Sequence, residues 1–185
     1  MTLLKSDESS LEKSVELLKK GEVLVLPTDT VYGFSGIVGK TDEMIRKIKG
    51  REETKPFIQL IGRPEDIFCI TDDVVPQKLL SLWPGPLTII VHCKQNPSQT
   101  VAVRCPGDSW LRKVILGAQS PIYSTSVNRS GFPVLTKVSE IKAEFEGEVA
   151  LIVSAGDCKS SVPSTIVKLD GEKIEVLRKG AVSIE

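Results

Sequence analysis

Histidine is nearly missing from these 185 residues: His92 is the only one. It closes the apolar run Leu87-Thr88-Ile89-Ile90-Val91 and reads as a strand-edge side chain, so chemistry built on a histidine triad is a poor expectation. Cysteine is thin as well. Cys69, Cys93, Cys105 and Cys158 form no C-x-x-C pair, which argues against a zinc site or a disulfide framework and for small buried or half-buried side chains. Aromatic residues make up 5% of the chain, too few for the stacking platforms of a single-strand nucleic-acid binder. Charge of one sign is lacking too. The 24 basic and 24 acidic residues cancel, which excludes a broad basic face but leaves room for a local cationic cavity. No apolar run approaches the roughly 20 residues of a membrane helix. The start, Met1-Thr2-Leu3-Leu4-Lys5-Ser6-Asp7-Glu8, turns polar too early for a signal peptide, so the expectation is a cytosolic protein without membrane contact.

What is present suits an ordinary globular chain, with 41% hydrophobic and 26% charged residues, and the length suits one domain over residues 1–185. Leu11, Val15 and Leu18 share a helical face in Leu11–Lys20, with Ser9 or Ser10 as cap and Gly21 as stop. Val23-Leu24-Val25-Leu26 reads as a buried strand that ends at Pro27 and the turn Thr28-Asp29-Thr30. Thr41 is placed to cap a helix through Ile48, closed by Gly50. Further strands are expected at 57–61, 87–92, 100–104, 122–124, 149–153, 165–169 and 174–177, with helices near 77–82, 109–116 and 139–145. Several strands follow one another without a helix between them, so the expected fold is α/β with a twisted mixed β-sheet flanked by helices.

Three stretches carry chemistry-bearing residues. Gly33-Phe34-Ser35-Gly36-Ile37-Val38-Gly39-Lys40-Thr41 ends like a phosphate-binding P-loop, but its glycines are one residue too far apart, and 34–38 reads equally as a strand. Lys49-Gly50-Arg51 with Lys55-Pro56 sets cations on either side of a glycine turn, where they could converge on a polyanion or simply decorate a helix end. Ser124-Thr125-Ser126-Val127-Asn128-Arg129-Ser130-Gly131 follows a short strand with hydroxyls and amides that suit phosphate, ribose or carboxylate oxygens, and suit an ordinary turn as well.

Taken in order, Leu-Pro-Thr-Asp-Thr-Val-Tyr-Gly at 26–33, Lys49-Gly50-Arg51 with Lys55-Pro56, Trp83-Pro84-Gly85-Pro86-Leu87-Thr88, Val101-Ala102-Val103-Arg104, Thr125 to Gly131, Pro163-Ser164-Thr165-Ile166 and Leu177-Arg178-Lys179-Gly180 resemble the threonylcarbamoyl-adenylate synthase family, the YrdC-like proteins. The resemblance runs through nearly the whole chain and suggests the short form, without an appended C-terminal domain. It implies a concave cationic cavity in which L-threonine, bicarbonate or carbon dioxide, and ATP with Mg²⁺ form threonylcarbamoyl-adenylate and pyrophosphate. That product leads to the threonylcarbamoyl modification of adenosine in tRNA, by way of tRNA threonylcarbamoyl-transfer proteins. It further implies a central tetrad of Lys49, Arg51, Ser126 and Asn128. Arg51, Lys55, Thr100, Ser126 and Arg178 would face ATP, and Thr30, Arg104, Ser124 and Ser164 would surround threonine. No protein side chain is assigned to the metal. Some members carry a histidine near the threonine site where this chain has Leu60. The rival readings are a non-catalytic module that binds tRNA or double-stranded RNA through the cations between Arg46 and Arg63, and a P-loop-like nucleotidase.

Overall fold

The computed structural model describes residues 1–50, 56–158, 162–171 and 173–184. Ten strands form one mixed sheet: β1 (Thr2–Leu4), β2 (Leu24–Leu26), β3 (Gly33–Ile37), β4 (Ile58–Leu60), β5 (Leu87–Cys93), β6 (Asn96–Arg104), β7 (Ile122–Ser126), β8 (Leu151–Ser154), β9 (Thr165–Asp170) and β10 (Lys173–Arg178). Their order is β1-β8-β2-β3-β7-β4-β6-β5-β9-β10, and parallel and antiparallel pairs alternate irregularly along it. The helices are α1 (Ser9–Lys19), α2 (Asp42–Lys49), α3 (Gln77–Leu80), α4 (Ser109–Ala118) and α5 (Val138–Phe145), with a 3₁₀ segment at Pro64–Cys69. The expected mixed sheet flanked by helices is therefore the observed one. None of the described helices is long and apolar enough to cross a membrane.

Strand parity decides where the cavity forms. Successive side chains point to opposite faces, and residues directly paired across strands share a face. Leu24, Leu26, Ile37, Ile122 and Leu151 lie on one face, under the apolar stripes of α1 and α4. Two and four residues beyond Ile122 along β7, Ser124 and Ser126 occupy that same face where the helices have ended, and beside them Ile58 of β4 pairs with Ser124. The helices thus cover half of the face and leave the other half as the floor of a cavity.

On the opposite face Val25, Phe34 and Ile152 meet Ile45 and Ile48 of α2 and Ile141 and Phe145 of α5. Phe34 and Phe145, both fully buried, pack edge to face with centroids 4.9 Å apart. Phe145→Ala should cost about 3–5 kcal/mol through the void it leaves. A melting curve checks this, with a drop of roughly 10 °C expected for a chain of this size.

The P-loop reading fails here for a structural reason. Gly33–Ile37 is a strand laddered to β2 and β7, so its backbone is committed to neighbours and does not curl around a phosphate. Thr41 does precede α2, but its hydroxyl donates to the Ile37 carbonyl (3.1 Å) and does not cap the helix. Gly36 permits that approach, because a Cβ there would sit 2.2 Å from Thr41 Oγ1. The capping of α1 also differs from expectation. Glu8 holds the cap position without a side-chain bond, Ser10 Oγ donates to the Lys5 carbonyl and Ser14 Oγ to the Ser10 carbonyl. The four cysteines form no disulfide. Cys105 is buried, and burial pushes its thiol up to about 12, whereas Cys69 is exposed, against the expectation of a buried or half-buried side chain.

Candidate functional site

The cavity on the open half of the sheet face has a volume of about 520 Å³. Six of the residues implied by the resemblance line it: Thr30, Ser124, Ser126, Arg104, Ser164 and Arg178. They arrive from four places in the fold: the β2–β3 connection, the floor strand β7, the end of β6, and the segment that enters β9 and leaves β10.

At one side lies a network centred on Lys49, the last residue of α2. Gly50 in the left-handed region (φ 60°) ends that helix, and Lys49 turns inward at 3% exposure. Its Nζ donates to the Ser126 carbonyl (2.5 Å), the Asn128 carbonyl (2.9 Å) and Asn128 Oδ1 (2.9 Å). Ser126 Oγ donates to the same Oδ1 at 2.8 Å, and Asn128 Nδ2 donates to the carbonyls of Arg129 (3.0 Å) and Phe132 (2.7 Å). Lys49 is thus bonded to Ser126 and Asn128, as a clamp on the turn after β7. The fourth tetrad residue, Arg51, and Lys55 lie outside the described residues.

A second group surrounds Arg104, which is 5% exposed. Its Nε donates to the Gly85 carbonyl (3.1 Å) and its Nη1 to Thr30 Oγ1 (3.1 Å). Nη2 lies 2.6 Å from Asp29 Oδ1 without the alignment of a hydrogen bond. Burial lowers the Arg104 pKa, and the Asp29 carboxylate opposes that shift. Thr28 holds Thr30 in turn: Thr28 Oγ1 accepts from the Thr30 and Val31 amides, donates to the Val31 carbonyl, and sits 3.0 Å from Thr30 Oγ1. Tyr32 ties this wall to the loop after β8, donating to the Gly156 carbonyl (2.7 Å) and accepting from the Ala155 amide (2.8 Å).

The third group pairs Ser164 with Arg178. Ser164, 3% exposed, lies 2.9 Å from Thr88 hydroxyl to hydroxyl, and Arg178 Nε and Nη2 both donate to the Ser164 carbonyl at 3.0 and 2.9 Å. Partial burial lowers the Arg178 pKa, and the positive charge of Arg104 lowers it further, so the two guanidiniums share one electrostatic region. Gly180 packs directly on this segment: a Cβ would lie 2.4 Å from the Pro163 carbonyl oxygen and 2.5 Å from the Ser164 carbonyl carbon. Gly180→Ala should thus displace Ser164, lowering turnover by about tenfold or more with the chain still folded, as steady-state kinetics and far-UV dichroism would read.

Thr100 is not brought to the cavity. It shares the parity of Ala102 and Arg104 on β6, but it stands four residues before Arg104 on an exposed stretch opposite His92, and it is no part of the lining. His92 itself holds Asp73, Nδ1 to Oδ2 3.1 Å, away from this lining. Leu60, 2% exposed, does line the cavity and gives that wall an apolar surface. Thr28, Asp29, Gly85 and Thr88 support the site, although sequence reasoning assigned them no role. Their one signal was position, inside the blocks 26–33 and 83–88 that carry the family resemblance.

A family model for the Sua5/YciO/YrdC proteins, described as telomere recombination, matches residues 16–180. The chain belongs to the Sua5/YciO/YrdC family. Among curated relatives, a putative threonylcarbamoyl-AMP synthase of Methanocaldococcus jannaschii is 32% identical over 97% of this chain and 91% of its own length. The threonylcarbamoyl-AMP synthase of Bacillus subtilis is 30% identical over 98% of the chain but only 56% of its own, so the chain spans little more than half of that relative. Among solved structures of the family, P. abyssi Sua5 complexed with L-threonine superimposes with a TM-score of 0.85 at 27% identity, covering 97% of this chain and 57% of that one. E. coli YciO shares the fold over 99% of this chain and 95% of its own, with a TM-score of 0.84 at 22% identity.

Proposed function

We infer that this member of the family is a nucleotidyltransferase that makes threonylcarbamoyl-AMP from L-threonine, bicarbonate or carbon dioxide, and ATP. The observation that carries this reading is the meeting, in one cavity, of an Arg104–Thr30 pair suited to an amino-acid carboxylate with the Arg178–Ser164 pair and with Ser126, itself bonded to Asn128 and Lys49, suited to a nucleotide. The relatives' names point the same way.

The chemistry needs no protein nucleophile. The threonine amine takes up carbon dioxide and loses a proton to give a carbamate. A carbamate oxygen then attacks the α-phosphorus of ATP, and the bond to the bridging oxygen breaks as pyrophosphate leaves. Arg104 and Thr30 would orient the carboxylate; Ser124 and Ser164 would line the rest of the threonine pocket. Arg178, Ser126 and, from outside the described residues, Arg51 and Lys55 would stabilise charge developing on the phosphate oxygens, making the cavity cationic where ATP lies. Among the described residues no group of three or more His, Cys, Asp or Glu side chains is placed to hold a metal. The hydroxyl and guanidinium donors of the cavity suit phosphate oxygens and not the metal, so Mg²⁺ would be held by the triphosphate and its own waters and would supply neutralisation of phosphate charge. The protein would work in the cytosol and hand its labile product to the proteins that modify tRNA.

Incubation with labelled bicarbonate, ATP and Mg²⁺, with and without threonine, tests this. A threonine-dependent labelled adenylate formed in step with pyrophosphate is expected. Threonine-independent phosphate release, or no turnover combined with salt-sensitive RNA binding, would overturn the reading.

A further inference from the structure

Asp29 lies outside the cavity lining, yet it is the charged partner of a residue within it. The residue as a whole is open to solvent while its side chain is turned in, 19% exposed, with Oδ1 facing Arg104 Nη2 and Oδ2 accepting the Gly107 amide at 2.9 Å. One carboxylate thereby joins the connection after β2 to the connection after β6, next to the two residues Thr30 and Arg104. Among the described residues that meet the guanidinium, the Gly85 carbonyl and the Thr30 hydroxyl are neutral and Asp29 alone is charged. A guanidinium so desolvated needs a counter-charge, and its hydrogen-bond inventory shows where it is left open. Nε is spent on Gly85 and one Nη1 N–H on Thr30 Oγ1, while Nη2 is buried against Asp29 as an ion pair without an aligned hydrogen bond, so among the described partners the second Nη1 N–H, beside Thr30, is the donor left for a ligand.

We propose that Asp29 is the positioning residue of the amino-acid pocket, fixing the plane of Arg104 so that Nη1 and the Thr30 hydroxyl together address the substrate carboxylate. This rests on the threonine reading of the site. The negative charge supplies a second effect. By offsetting the Arg104 field it disfavours an adventitious anion in the pocket, while a zwitterionic amino acid, which also offers hydrogen bonds to hydroxyls, is retained. Loss of the charge frees the guanidinium to rotate toward other acceptors, and amino-acid affinity falls. Among the described residues Asp29 bonds to neither Arg178 nor the Lys49 network, so the nucleotide side is left as it was.

The test is calorimetric titration of threonine into the full chain, together with steady-state kinetics, for the wild type, Asp29→Asn, Arg104→Lys and the double variant. In Asp29→Asn the threonine Kd and KM should rise about tenfold, with ATP KM and kcat at saturating threonine within about twofold of wild type. In the Arg104→Lys background the same substitution should add less than about twofold, because the group it positions has already lost its fork. Unchanged threonine affinity in Asp29→Asn, or a loss that persists in full without Arg104, would overturn the proposal. If the amide unfolds the loop, Asp29→Ser carries the same comparison. A wild-type protein that binds no threonine would overturn the threonine assignment itself, and this inference with it.

Discussion

Arg104→Lys should raise the KM for threonine by about 100-fold while leaving the KM for ATP within about threefold. Arg104 is held at three nitrogens by the Gly85 carbonyl, the Thr30 hydroxyl and the Asp29 carboxylate, and lysine can place a charge there but cannot meet three partners set around a plane. The ammonium would go to the strongest acceptor, Asp29, and withdraw from the cavity. Losing a charge-assisted hydrogen bond between the fork and the substrate carboxylate costs roughly 1.5–3 kcal/mol, which matches that 100-fold change. Charge is conserved in this exchange and Asp29 keeps a counter-ion, so the chain should melt close to the wild type. Initial rates over a matrix of threonine and ATP concentrations separate the two KM values. An unchanged threonine KM would remove Arg104 from amino-acid recognition and with it the assignment of this half of the cavity.

Sequence pattern reached the sheet and most of its strands because the buried stretches are apolar in composition as well as in place: 24–26, 87–91, 151–153 and 165–169 are rich in hydrophobic residues and laddered in space. It fell short where polarity and strand conformation coincide. β7 runs to Ser126, two residues past the expected end, because Thr125 and Ser126 keep their pairing with β3 while Ser126 faces a cavity and not a core. β6 begins at Asn96, four residues early, as the exposed half of a hairpin with β5, where no burial marks the strand. β1 exists only through pairing with β8, some 150 residues away in the chain, a partnership invisible to any local window.

The candidate site was legible to the same extent and for the same reason. Ser126, Arg104, Ser164 and Arg178 stand in short recognisable blocks, and their meeting follows from the order of the strands that carry them or that they adjoin, with Asn128 joined to them through Ser126. Thr100 shows the converse: strand parity puts it on the face of Arg104, but distance along β6 takes it out of the lining. The Asp29–Arg104 and Thr88–Ser164 pairs span 75 or more residues in sequence, and no spacing rule connects them. The Thr88–Ser164 pair follows only once β5 is laid beside β9, and the Asp29–Arg104 pair only once β2 and β3 are set across β7 and β4 from β6.

Lys49→Ala should lower turnover by at least about tenfold, through loss of its bonds to the turn after β7. The ammonium lies among three oxygens: two backbone carbonyls and the Asn128 amide oxygen, which also takes the Ser126 hydroxyl. Each buried acceptor left unpaired costs roughly 1–3 kcal/mol, so the variant should fold but melt lower, and Ser126 should lose its fixed orientation toward the cavity. Lys49→Arg should not restore activity, because a planar fork at 3% exposure cannot place donors on three converging oxygens without displacing the Phe34 ring, 5.5 Å from the ammonium. The discriminating readout is the Ser126→Ala variant measured in both backgrounds. If Lys49 acts by orienting Ser126, the hydroxyl's removal should matter in the wild type and add little once Lys49 is alanine. Additive losses would instead make Lys49 an independent partner of the nucleotide, and would return the clamp to a purely structural part.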